Sequence, residues 1–307
     1  SQVSGLSTSQ IVALSSTQIA ALSTFGVQGL ASEDIGALSS TQFKSLTSAQ
    51  LGALASAAVA GLTTAEIASL SSAQLAGLTS GEVKVLGSAQ IGAFTTGSVA
   101  ALTTAQLSGL TQSGIVGLNT AQIRALGSSQ MAGLSSSATS GLTSTQVDAL
   151  TSAQLGGLSS SGVSGLTSTA IARLTTAQLA GLGSTQLQAL TSAAISGLSS
   201  ADVAALTSVQ LAALSSVQVG ALTPSAVGGL TTAEMTALSK AQVGGLTSAQ
   251  VDALNTTQLG ALSSAQIGAL SSAGAAGLST TDVAGLTTLQ LTGFTSAQLA
   301  ALSTAQL

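Results

Sequence analysis

A chain of 307 residues with a net charge of −4, in which charged residues make up 5% and histidine, cysteine, tryptophan and tyrosine are all absent, lacks the usual general bases, soft metal ligands and activated nucleophiles. Its five basic residues, Lys44, Lys84, Arg124, Arg173 and Lys240, never cluster, and four Phe form no stacking platform, so nucleic acid is not an expected partner. At 45% hydrophobic the chain is too apolar for a disordered linker, yet Ser, Thr and Gln interrupt every apolar run before it could span a bilayer as a helix.

The order lies in an eight-residue repeat. From Leu6 to Leu302 every eighth residue, 38 positions in all, is Leu except for Phe94 and Phe294, and no insertion breaks the register. LTSAQLGAL, Leu46 to Leu54, is representative. After the Leu comes Ser, Thr or Asn in 33 of 38 octads, the exceptions being Ala31, Ala55, Gly87, Gly127 and Gly183. Three residues later, counting from Gln2 to Gln306, stands Gln in 23 of 39 cases and an acid in six. That pairing is a capping box, in which cap hydroxyl and N3 side chain each satisfy a backbone N–H that the first helical turn leaves unpaired. In the representative octad Thr47 and Gln50 cap each other, and Leu46 packs on Leu51 as a hydrophobic staple.

Each octad is therefore predicted to be a short helix of about six residues with a corner at Leu and the cap. One continuous helix is excluded, because eight residues at ~100° each carry the apolar pair ~80° around the axis per octad. Helices this short need neighbours. Leu46, Leu51, Leu54, Phe94 and Phe294 are the expected core anchors. The residue before Leu is Gly, Ala or Ser in 36 of 38 octads, failing at Val85 and Arg173, which lets successive coils approach closely. The expected fold is all-α: a solenoid of capped helices, one per octad, with about three to four octads per turn. A β-solenoid is the alternative, since Ser and Thr at a fixed short period and Val or Ile at N4 also suit strands.

Going along the chain, eight octads replace the N3 side chain with Gly or Ala and carry Gly before Leu, at Gly26, Ala58, Gly114, Ala138, Gly162, Ala194, Ala226 and Gly274. Their spacing in steps of three and four octads reads either as a stripe along one side of a superhelix or as duplication of a four-octad block. Asp34, Glu66, Asp202, Glu234 and Asp282 each follow one of these octads; Glu82 does not. Acids at N3 suit the positive end of a helix. The adjacent pair Glu33 and Asp34 is explained by that dipole before any cation need be invoked. Thr139 and Ala275 put non-aliphatic residues at N4, where they mark softer places in the wall or contact points for a neighbouring fibre. The lone proline, Pro224, follows the cap Thr223 and falls on N1, where its missing N–H costs nothing.

Residues 1–307 read as one continuous array, a window of a longer repeat region, with no signal peptide in SQVSGLSTSQ. The repeat L-[ST]-[ST]-x-Q-[ILV]-x-[AG]-L, present as LTSAQLGAL and LSSAQIGAL, resembles octad arrays of very large secreted or cell-surface proteins of Gram-negative bacteria, often described as adhesin-like. The resemblance implies an extracellular, self-assembling fibre or biofilm component that associates with itself end to end or laterally. It also implies contact with a surface or matrix. No catalytic, cofactor or metal site is expected. A passive stalk of a giant adhesin and an ice- or surface-binding Ser/Thr ladder are the other readings.

Overall fold

A computed structural model of the chain describes residue 3 and residues 5–306; Gln2, the first residue counted at the N3 slot, lies outside them. Among the described residues are 37 α-helices of four to six residues, one per octad, and no strand, so the β-solenoid alternative does not hold. The helices fall into two compact units, one ending at Gly165 and one beginning at Leu166. Both are wound from the same octad.

The local cause is the capping box. Thr47 is extended, at φ −74 and ψ 162, its hydroxyl accepts the Gln50 N–H at 3.2 Å, and the Gln50 Oε1 accepts the Thr47 N–H at 2.8 Å. The helix Ser48–Leu51 follows and gives way at Gly52. The Leu54 N–H then bonds the Leu51 carbonyl at 3.2 Å, an i to i−3 contact that tightens the last turn into the corner. In longer helices such as Ser32–Ala37 the corner Leu itself turns extended, with Leu38 at φ −62 and ψ 136. Helix length is therefore four to six residues rather than a uniform six. Which residue is the last helical one depends on whether the final turn stays α or tightens. No described residue has a positive φ, so none of the helices ends in the left-handed glycine cap common elsewhere.

At Ala31, Gly87, Gly127 and Gly183 the cap has no side-chain oxygen, and only the returning half of the box survives. Thus the Ala31 N–H donates to Asp34 Oδ2 at 2.9 Å and the Gly183 N–H to Gln186 Oε1 at 2.8 Å. At Ala55, where N3 is Ala58, neither half forms. Pro224 opens the helix Pro224–Gly228, with Thr223 as its cap.

Packing follows a three-octad rule within each unit. The helix Ser48–Leu51 lies on Ser72–Gly77, and Ser200–Ala204 lies on Pro224–Gly228. The N4 aliphatic and the corner Leu face inward together: Leu46, Leu51, Leu54 and Phe94 are buried. Phe294, in the last described coil, is only half-buried, since no later coil among the described residues lies over it. Small residues before Leu meet the backbone of the helix three octads earlier. A Cβ on Gly61 would stand 2.7 Å from Ser32 Cα and 2.9 Å from its carbonyl oxygen, so glycine serves here for close approach and not for turning.

Candidate functional site: the glutamine staple between coils

Among the described residues no group of three or more acidic side chains converges in a way that could hold a metal ion. What the octads repeat is a bond between coils, centred on the N3 glutamine. Its Oε1 is used locally, accepting the cap N–H and, in many octads, the cap hydroxyl as well. Its Nε2 turns the other way. Gln50 Nε2 donates to the carbonyls of Ile19 at 2.9 Å and Leu22 at 2.8 Å, 31 and 28 residues earlier. The same reach recurs at Gln74 to Phe43 and Leu46, both at 3.1 Å, and at Gln154 to Ile123 at 2.7 Å and Leu126 at 2.8 Å. In the second unit Gln250 bonds Val219 and Leu222, each at 2.8 Å.

Those acceptors are the N4 carbonyl of the helix four octads earlier, which already takes the N–H of its own corner Leu (Leu22 to Ile19 at 3.1 Å), and the carbonyl of that corner Leu, which lies past the helix end. One buried amide thus closes the start of its own helix and the end of another. In Thr47 and Gln50 all four hydrogen-bonding positions of the amide are filled, two accepted and two donated. Helices pack at three octads and glutamines reach across four, so the coil holds between three and four octads per turn.

The octads without a side chain at N3 are closures of another kind. A Cβ on Gly162 would stand 2.9 Å from the Leu134 carbonyl oxygen, and one on Gly274 2.9 Å from that of Leu246. Both acceptors lie 28 residues earlier, where a glutamine would have bonded. At these two glycines backbone comes in directly, whereas at Gly114 nothing stands nearer than 3.3 Å to an added Cβ, and Ala58, Ala138, Ala194 and Ala226 carry one.

Acids at N3 keep the cap and lose the donor. Asp34 Oδ2 takes the Ala31 N–H, while Oδ1 accepts the Thr8 hydroxyl at 2.8 Å from 26 residues earlier, and Glu33 beside it is exposed. Thr139 and Ala275 are both fully buried, so they are not contact points for a neighbouring fibre. The Thr139 hydroxyl donates to the Gly162 carbonyl at 2.6 Å, which satisfies a polar group inside the wall.

The reach of the glutamine is what reasoning within the octad missed. A signal was present: a capping box accepts Glu as readily as Gln, and the helix dipole favours the acid. Yet Gln outnumbers acids 23 to six at this slot. Only a need for a donor explains that preference.

A family model described as the ALTTAQ repeat matches residues 27–64, 99–136, 182–216, 195–232 and 248–280, together just over half of the chain. The chain belongs to the ALTTAQ repeat family. The letters of that name stand unaltered at Ala101 to Gln106, from the small residue before Leu to the N3 glutamine. In structural terms an ALTTAQ unit is a corner followed by a capping box whose glutamine serves the coil below. Comparison with curated proteins found no match. No ALTTAQ helix among the described residues is long and apolar enough to cross a membrane.

Proposed function

We propose that this ALTTAQ array is a structural protein, a segment of an extracellular filament of the cell-surface or biofilm type that assembles by self-association. The observation that carries the reading is the uniformity of the coil-to-coil bond. One acceptor lies 28 residues back in each case, and the other lies 31 back, as from Gln50 and Gln298, or 30 back, as from Gln42 and Gln90. A contact of this kind has no natural end point: any further coil, in the same chain or another, is held by the same bonds and the same apolar slots.

The Ser/Thr ladder reading loses support. Cap hydroxyls such as Thr47 Oγ1 face their own helix, accepting one N–H and donating to the glutamine at 3.1 Å, so they are not free to template a crystalline surface.

Negative-stain microscopy and light scattering of the purified chain over rising concentration test the proposal. Filaments of uniform width are expected. Monomers that persist at the highest concentration would overturn it and favour the passive stalk.

A further inference from the structure

Glu82 is the acid that departs from the pattern of its neighbours in sequence, and its surroundings are equally distinct. It caps the helix Ser80–Val85 as a glutamine would, with Oε2 accepting the Thr79 N–H at 2.6 Å. Its other oxygen, Oε1, is buried and has no hydrogen-bond partner, in a residue only 4% exposed. In glutamine octads that second position is the NH2 that donates to carbonyls 28 and 31 residues earlier. For Glu82 the same register points to Leu54 and Leu51. An ionised carboxylate has no proton to offer those carbonyls.

No opposite charge relieves this. The helices packed on it, Ser56–Ala60 and Thr104–Leu107, carry no ionisable residue. Neither do Ser48–Leu51 and Gln112–Val116, four octads away on either side, nor the flanking Ser72–Gly77 and Ser88–Gly92. Lys84, on the same helix, is exposed.

We propose that Glu82 is a proton-operated staple: as the neutral acid it donates its O–H to the Leu51 or Leu54 carbonyl, and on losing that proton to solvent it releases the coil below. One proton is bound or released and no other reactant takes part. Burial pushes the Glu82 carboxyl above its ordinary value of 4.5, against the opposing pull of the Thr79 hydrogen bonds. The sign follows from linkage. An acid whose folded value is raised contributes its full stability below the unfolded value, loses it as the pH climbs from there to the folded value, and adds nothing further above. This coil contact is thus tightest in acid, the reverse of the usual salt-bridged carboxylate. Glu66 also buries an unpartnered Oε1, but Lys44 lines the 200 Å³ cavity beside it, so its oxygen has a cation within the same recess.

The full chain carries four glutamates, and selective 13C labelling of their carboxyl carbons gives a direct reading. The Glu82 signal, assigned by its loss in Glu82→Gln, is expected to titrate above the ordinary glutamate value of 4.5. Amide exchange in the segments 47–54 and 79–86, corrected for intrinsic rates, should slow several-fold between pH 7 and pH 4 in the native chain. In Glu82→Gln, which restores the permanent donor, it should be slow at both. A Glu82 signal that titrates at or below the ordinary value of 4.5, or a Glu82→Gln variant that keeps the native pH dependence, overturns the proposal.

Discussion

Replacing Gln250 by Ala separates the two duties of the N3 glutamine. Gln250 is 1% exposed; its Oε1 accepts the Thr247 N–H at 2.8 Å and its Nε2 donates to Val219 and Leu222 at 2.8 Å each. Alanine keeps the cap hydroxyl bond to its own N–H but removes these three. At about 1 kcal/mol net for each, the loss is about 3 kcal/mol, most of it between coils. Thr247→Ala deletes only the hydroxyl that accepts the Gln250 N–H at 3.3 Å, a cap worth about 1 kcal/mol. Global melting is a poor gauge, because a repeat array need not unfold as one cooperative unit. Hydrogen exchange of the segments 215–222 and 247–254 reads the contact locally. Gln250→Ala should accelerate exchange in both by about a hundredfold, and Thr247→Ala by about fivefold, with each tenfold step equal to ~1.4 kcal/mol. Equal acceleration by the two substitutions would refute the reasoning, since the glutamine would then act only within its own helix.

Proline reports the helix starts. Thr256→Pro, at N1 of the helix Thr256–Gly260 where Pro224 stands in its own helix, is expected to leave hydrogen exchange of the segment 255–262 nearly unchanged. Leu259→Pro removes the 3.0 Å bond to the Asn255 carbonyl and should cost ~3 kcal/mol or more; equal tolerance would contradict one helix per octad. Ser48 suits this test less well, because Gly77 lies against its backbone. Glycines should split by slot: Gly61→Val pushes into Ser32 and should destabilise by ~1–3 kcal/mol, whereas Gly81→Ala should stabilise by up to ~1 kcal/mol. The nearest atom to a Gly81 Cβ is Thr79 Oγ1 at 3.7 Å, and midpoints that move in the same direction would count against the packing described.

Everything local was legible in the octad, because local chemistry makes it. Thr47 and Gln50, the five caps without hydroxyls and Pro224 could be placed on a helix start from residue type and spacing alone, since a capping box spans only three residues. Corner and N4 residues could be assigned to the core for the same reason. What lay beyond reach was anything set by a partner 23 to 31 residues away. The octad pattern does not show that Gln50 also bonds Ile19, that Thr139 finds Gly162, or that Gly162 is small because Leu134 sits where a side chain would go. Phe294 shows the complementary limit: its residue type marks it as core, but burial also requires a coil above it.

The amide bonds described here run in one direction, from a glutamine to carbonyls nearer the N-terminus. During synthesis, when the N-terminus emerges first, the amide of each new glutamine meets acceptors already laid down. Winding can therefore keep pace with the ribosome, like thread taken up on a spool. Gain or loss of a whole octad leaves the reach of the glutamines unchanged, so slippage in a repetitive gene alters the length of the product without leaving a faulty join.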